Sequence, residues 1–514
     1  MDRKWWTLLA VCIGTFMLLL DVTIVNTALP YIQRGLGASF TDLQWVIDAY
    51  ALALAAFLLT GGSVADLIGR RRVFVIGMAI FTAASLLCGL SGSPLMLNLA
   101  RGLQGVGGAL MFATALALLA VAFQGPERGT ALGLWGATTG AAVAIGPLVG
   151  GVLTQVLGWE AIFFVNVPIG IVTIAMTLAR VEESRNPTGA GIDWIGLVTF
   201  STGLFCLVLA LIRGNAEGWG STVILGLFGA AAVLLVAFVV AEARQREPMF
   251  DLALFRNPSF DGASIAAFVL SAAMFAMFLY LTLFVQNALG YSALQAGLRF
   301  LPVTLLSFAV APLSGKFAGR FGVRWFIGGG LALIGAGLLL MRGVGPDDDW
   351  SALLPGFILC GVGIGLVNPA LATAAIGVVE PRRSGMASGI NSTFRQVGIA
   401  TGTAALGAIF AHVVNGRREA FAETAAHAGI AARRGAGQFS DFISFGIFRR
   451  IGGGEAVARA GRDAFLHGLH VILLYGAAVA FAGALATVIL IRPRDFAPHV
   501  ASAREPAAGE PAAV

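Results

Sequence analysis

Apolar runs of about 20 residues, parted by short polar breaks, set the pattern of this chain almost to its end. At about 1.5 Å of helical rise per residue, such a run crosses the roughly 30 Å hydrocarbon layer of a bilayer. The pattern predicts fourteen membrane-crossing helices, near residues 5–30, 44–64, 73–93, 95–123, 130–157, 161–180, 194–212, 221–241, 259–286, 297–315, 325–343, 352–378, 386–413 and 468–491. The fold class expected is all-α and polytopic.

The pattern also repeats. Gly62-Ser-Val-Ala-Asp66-Leu-Ile-Gly69-Arg70-Arg71 returns 253 positions later as Gly315-Lys-Phe-Ala-Gly319-Arg-Phe-Gly322-Val-Arg324, each copy read as a short basic loop between apolar runs. Gly105-Val-Gly107 and Gly129-Thr-Ala131-Leu-Gly133 return 256 positions later as Gly361-Val-Gly363 and Gly385-Met-Ala387-Ser-Gly389. The first copies fall around predicted helices 2 to 5 and the second around helices 10 to 13, so helix 1 corresponds to helix 9. Six-helix bundles are expected at residues 1–190 and 246–495, joined by a linking helix pair at 191–245. Two similar halves imply a cavity between them, which is the plan of a carrier.

Composition agrees with the pattern. Of 514 residues, 58% are hydrophobic and 12% charged, and a soluble domain carries about twice that share of charge. On one side, the short loops collect Arg3, Lys4, Arg70 to Arg72, Arg244, Arg246, Arg256, Lys316, Arg320, Arg324, Arg382 and Arg383; on the other they hold little beyond Arg34, Arg213, Arg299 and Arg342. This bias makes both termini cytoplasmic and accounts for the net charge of +6 without a nucleic-acid partner. The apolar amino-terminal run contains Asp21 and lacks a small-residue cleavage site, so it reads as helix 1 rather than a removed signal. Cys12, Cys88, Cys206 and Cys360 fall within predicted spans, which argues against a disulfide framework or metal cluster. His467 and His470 lack a third ligand nearby, and Asp347 to Asp349 read as a solvated outer turn. With neither a Gly-Lys-Ser/Thr phosphate loop nor a nucleotide domain in the sequence, no cofactor is expected and ATP is not the expected energy source.

Three charges stand out by depth. Asp21 in helix 1 and Arg101 in helix 4 lie at about one level, about 10 to 13 Å below the outer ends of their helices, and an ionised group there needs a cavity or a partner. Asp21 is the expected proton carrier and Arg101 its counter-charge; a purely structural ion pair is the alternative. Asp48 lies about four residues inside helix 2, within reach of a cation or of interfacial water. Gly62, Asp66, Gly69, Arg70 and Arg71 form the expected cytoplasmic gate, where charge meets a helix end. Gly146, Pro147, Gly150 and Gly151 in helix 5 are expected to allow a bend or close contact with the opposite half.

These stretches together resemble the fourteen-helix drug:proton antiporters of the major facilitator superfamily. The likeness runs through Leu20 to Pro30, Gln44 to Tyr50, Gly62 to Arg71, Leu97 to Gly107, Gly140 to Gly151, Phe164 to Gly170 and Leu254 to Asn257. Departures are Leu67 in place of a basic residue, Gly319 in place of the second loop aspartate, and Glu160 after Trp159 in place of arginine. The resemblance implies a proton-coupled exporter of amphiphilic small molecules in a bacterial cytoplasmic membrane, functional as a monomer, with Asn26 and Tyr50 beside Asp48 as substrate-binding residues. With no acid deep in a predicted span of the carboxyl-terminal half, neutral or singly charged lipophilic compounds are expected over doubly charged cations, and Phe and Met content suits a permissive apolar pocket. A membrane-embedded lipid-modifying enzyme and a non-transporting sensor of the same fold are the rival readings. The outer segment 414–466 is expected to form an amphipathic hairpin with Phe439, Phe442, Phe445 and Phe448 on one stripe, and the tail 496–514 to be disordered.

Overall fold

The computed structural model describes residues 2–38, 40–123, 126–185, 193–245, 250, 252–379, 384–427, 443 and 454–496. Fourteen long helices follow one another: α1 (Arg3–Leu36), α2 (Phe40–Ile68), α3 (Arg70–Gly89), α4 (Pro94–Ala122), α5 (Pro126–Leu157), α6 (Ala161–Arg180), α7 (Trp194–Glu217), α8 (Thr222–Arg244), α9 (Pro258–Ala288), α10 (Ala293–Phe321), α11 (Val323–Met341), α12 (Leu354–Gly377), α13 (Ser384–Asn415) and α14 (Gly454–Leu490). Thirteen hold an apolar window long enough to cross a bilayer among the described residues, and α5 holds the shorter described stretch Leu148–Leu157 within its 32 residues. Caps set several starts. Ser93 accepts the Met96 N–H ahead of Pro94, Asp193 accepts the Gly196 N–H, and Ser292 with Gln295 closes a reciprocal capping box.

Helices α1 to α6 pack on one another, as do α9 to α14, while α7 and α8 pair and α7 leans on α2 and α13. On α8, Ile224, Ala231 and Phe238 recur every seven residues and turn inward, and Glu242 is buried as well, while Val223, Leu225, Val233, Val236, Val239 and Val240 are exposed as a lipid-facing side requires. The core of the second group stacks Phe284, Phe465 and Phe410, with ring centroids 5.1 to 5.7 Å apart.

The sequence repeat is a repeat of backbone crossings. A Cβ on Gly107 would begin 2.7 Å from the Gly77 carbonyl oxygen, and one on Gly363 would begin 2.5 Å from that of Gly330. Gly105 meets the Tyr50 carbonyl oxygen of α2 at 2.4 Å just as Gly361 meets that of Val303 on α10 at 2.6 Å. Each of these four repeated glycines therefore stands where two helices touch backbone to backbone. Gly133 meets Pro312 across the α5–α10 seam, and Gly389 meets Leu59 across the α2–α13 seam. These two seams, with the α5–α12 and α4–α13 contacts beside them, join the two groups.

Several boundaries differ from the sequence reading. Residues 62–68 and 315–321 are not loops but the last turns of α2 and α10; each turn is a single glycine, Gly69 (φ 117, ψ 132) and Gly322 (φ 96, ψ 121). A side chain resists that backbone region, so only glycine turns the chain so abruptly. Helix α9 contains two π-helical turns, Ser271–Phe275 and Phe284–Ala288, and α6 breaks its regularity at Val165. Helix α14 starts at Gly454 rather than near 468, because the alanine-rich stretch after the glycine run continues the helix outward. That extension carries part of the segment between α13 and α14: Arg418–His427 is helical and packs on it through Phe421 and Ala425, and Ile443 is buried in the same core. The four phenylalanines at 439, 442, 445 and 448 and tail positions 497–514 lie outside the described residues. Asp347 to Asp349 are partnered rather than simply solvated: Asp347 pairs with Arg459, Asp348 accepts the Gly345 N–H, and Asp349 accepts the Tyr291 hydroxyl, which raises the Tyr291 pKa.

Candidate functional site

Asp21 and Arg101 meet in the middle of the first helix group. The Arg101 Nη1 donates to Asp21 Oδ2 at 2.5 Å and to Gln104 Oε1 at 2.7 Å, and its Nε donates to the Val46 carbonyl at 2.9 Å. Gln104 and Asn166 donate to Asp21 Oδ1 at 2.9 and 3.2 Å, and both reach Ser85 Oγ as well. Asp21 and Arg101 are each 1% exposed. Five elements contribute: α1 holds the acid, α4 the arginine and glutamine one turn apart, α3 the serine, α6 the asparagine, and α2 the carbonyl. Both carboxylate oxygens are satisfied, as a charge sealed from water must be. The depth match read from the sequence is therefore a direct ion pair, enclosed by one helix group rather than set beside an open cavity.

Tyr50 belongs to the same enclosure. Its ring lies 4.3 Å from the Arg101 guanidinium, it is 2% exposed, and its hydroxyl has no hydrogen-bond partner among the described residues. Its ring is packed against the arginine and closed off from solvent in this structure. Asn26 lies on α1, and its side chain is outside the described residues. Asp48 is half-buried on α2; because the helix begins at Phe40, it sits two turns in rather than one, and Arg213 of α7 is the charged group facing it. Arg213 also pairs with Glu217 and lies 5.5 Å from the Trp45 ring.

At the end of the molecule where α2 turns into α3, Asp66 reaches across to the second helix group. Its Oδ1 accepts from Arg70 Nε at 2.9 Å, and its Oδ2 accepts the backbone N–H of Met386, in the first turn of α13, at 3.1 Å. A carboxylate at a helix amino terminus meets unpaired N–H groups and the positive end of the helix dipole. Behind it, Glu183 accepts the N–H groups of Arg71 and Arg72 at 3.0 and 3.2 Å, so it caps α3. A Cβ on Gly69 would begin 2.6 Å from that Glu183 carboxylate. Glu183 is not among the residues the sequence singles out.

In α5, Gly150 and Gly146 do not face the opposite group. Their absent side chains leave room for Thr27 and Thr23 of α1, whose hydroxyls lie where Cβ atoms would stand, and Gly151 is buried. The helix runs on through Pro147, whose side chain lies outside the described residues. Contact with the other group falls instead to Gly129, Gly133, Gly136 and Gly140, against α10 and α12. Sequence reading also missed Gln104, Ser85 and Asn166, polar residues inside apolar runs, and Arg395, an arginine within predicted helix 13.

Comparison with known proteins places this geometry in context. The family model described as Major Facilitator Superfamily matches residues 11–403. The chain is 40% identical over 407 residues to the multidrug resistance protein Stp of Mycobacterium tuberculosis, covering 79% of this chain and 75% of that one. It is 36% identical over 410 residues to the tetracenomycin C resistance and export protein of Streptomyces glaucescens, covering 80% and 76% of the two chains. The puromycin resistance protein pur8 of Streptomyces alboniger is 36% identical over 413 residues, covering 79% and 82%. In fold alone, the chain resembles the human organic anion transporter MFSD10 (TETRAN), with TM-score 0.61 at 13% identity over 95% of this chain and all of that one.

Proposed function

Because this chain belongs to the Major Facilitator Superfamily, we propose that it moves amphiphilic drugs or antibiotics out across the bacterial cytoplasmic membrane in exchange for protons. It is a multi-pass membrane transporter of the drug and antibiotic efflux kind. Resistance and export named for its relatives support the cargo class and direction. The enclosed Asp21–Arg101 pair supports proton coupling, and is the observation that carries it. Protonating Asp21 removes the charge that holds Arg101 between α1 and α4, so a proton selects between two arrangements of one network.

The moving units in this reading are residues 1–190 and 246–495, linked by 191–245, with both termini cytoplasmic and one copy sufficient. Asp66 then guards the cytoplasmic mouth. A potential of about 100 mV supplies about 2.3 kcal/mol per charge moved, enough for a roughly fifty-fold gradient when one net charge crosses per cycle. Purified protein in liposomes tests the reading: dye transport should follow an imposed pH gradient without ATP and stop when a protonophore collapses it. Transport that ignores the protonophore would remove the proton from the mechanism, and product formation from lipid would favour an enzyme instead.

Two substitutions probe the assigned roles. Asp66→Asn weakens the contact with the Met386 N–H, and Gly69→Val forces a branched side chain into a positive-φ turn against Glu183. Both should slow exchange between facing states, by about fivefold or more, while ligand affinity changes less than twofold. Equal losses in flux and affinity would place these residues in the binding site. Asp48→Asn should weaken cationic substrates by about tenfold and neutral ones little. Matching losses for both classes in a transport panel would make Asp48 structural.

A further inference from the structure

Arg395 lies eleven residues into α13 from Ser384, about 16 Å along the helix. Its Nη1 donates to the Asn368 side-chain oxygen at 3.0 Å, and among the described residues no carboxylate answers its charge. The acids of α9 to α14 stand toward helix ends: Asp261 in the first turn of α9, and Glu455 and Asp463 in the outer extension of α14. This differs from Arg101, whose charge is matched by Asp21. An ionised group at this depth needs a partner or a ligand.

The direction it faces is set by its neighbours. One side of α13 is taken by α2, which Gly389 meets at Leu59, and another by α9, where Gly398 and Gly402 meet the Phe268 and Ala272 carbonyl oxygens at 2.4 and 2.5 Å. Ser388, Ser392, Arg395 and Thr403 lie three to eight residues apart on one face of α13, with Gly402 at its edge, and α4, α7 and α14 also pack on this helix. Asn368, 3% exposed on α12, lies within 3.6 Å of where a Gly136 side chain of α5 would begin. One turn along α5, Ser307 of α10 holds a buried hydroxyl 3.1 Å from the equivalent point on Gly140, with no hydrogen-bond partner among the described residues. Arg395 is thus held at the seam between the two helix groups, with one of its donors committed to Asn368 among the described residues.

We propose that Arg395, oriented by Asn368, is the docking point for an ionised acid group, a carboxylate or phenolate, on the exported molecule. The proposal rests on the export reading and adds amphiphilic monoanions to its cargo. A guanidinium presents paired N–H donors in a plane that fits a carboxylate, and a neutral compound gains no charge pairing there. It also alters the energetics: one anion out for one proton in moves two charges, so the membrane potential drives this exchange twice as hard as that of a neutral compound.

The test measures equilibrium binding to the full-length protein in detergent, using 1-pyrenebutyrate and its uncharged methyl ester as matched fluorescent probes. The wild-type protein should bind the acid more tightly than the ester. Arg395→Gln should weaken the acid by about 10- to 100-fold and leave the ester unchanged, with Arg395→Lys and Asn368→Ala in between. An ester bound as tightly as the acid by the wild type, or parallel losses of both probes in Arg395→Gln, would overturn the assignment. If Arg395→Gln does not elute as a folded species, Arg395→Lys and Asn368→Ala decide: an unchanged acid-to-ester ratio in both overturns it, and a reduced ratio supports it. Binding needs no turnover, so failure of dye transport in liposomes would count against the export reading alone.

Discussion

Asp21→Asn is expected to abolish pH-driven export and to destabilise the protein at the same time. The asparagine keeps the shape and can still accept one hydrogen bond, but Arg101, 1% exposed, loses its counter-charge. Breaking a buried pair by removing one partner costs about 3 to 5 kcal/mol, because the surviving charge stays buried. The double substitution Asp21→Asn with Arg101→Gln removes both charges, and should recover most of that stability while transport stays absent. Thermal unfolding in detergent and flux in liposomes, measured on the same preparations, separate the two effects. Undiminished gradient-driven export in Asp21→Asn would end the proton-coupling role. Export restored in the double mutant would make the pair an architectural one.

Gly129→Val is expected to cut export by more than tenfold by a different route. A Cβ on Gly129 would begin 2.0 Å from the Gly315 carbonyl oxygen, and a Cβ on Gly315 would begin 2.0 Å from that of Gly129. The obstacle is backbone on both sides, so no rotamer change relieves it; α5 and α10 must separate at that end. Gly315→Ala should do the same more mildly. Spin labels at Glu127 and Arg320, both exposed beside the crossing, should report a longer distance in the valine variant. Full export with an unchanged distance would mean that the crossing is dispensable.

The helices and the doubled architecture were legible because a bilayer demands long apolar runs and because the crossings need glycine at fixed places. The Asp21–Arg101 pairing was legible too, since charges are rare enough in a span to be matched by depth alone. What escaped was the company they keep. Gln104, Ser85 and Asn166 cost little to place in an apolar helix, so nothing in the pattern marks them, and only packing of α3, α4 and α6 brings them to Asp21. Tyr50 and the α5 glycines were legible as motif members but not by direction, because a motif does not say which neighbour a helical face meets. The turns at Gly69 and Gly322 were read too long, since basic residues suggested loops where one glycine suffices.

The two seams between the halves are built alike from glycines, yet among the described residues a carboxylate crosses only one of them. Asp66 reaches the Met386 N–H over the α2–α13 seam, whereas the corresponding position at the end of α10 is Gly319, which has open space and nothing to offer α5. The internal duplication is therefore broken at its most consequential atom. Charge at a helix end is worth about 0.3 to 2 kcal/mol, comparable to the thermal energies that time a conformational change. The expected consequence is an order of events: the bare seam loosens first and the charged one yields last, so the cycle proceeds as an asymmetric sequence rather than a synchronous rocking of equals. Distance measurements across both seams during turnover would show a lag between them, and simultaneous opening would remove the asymmetry from the mechanism.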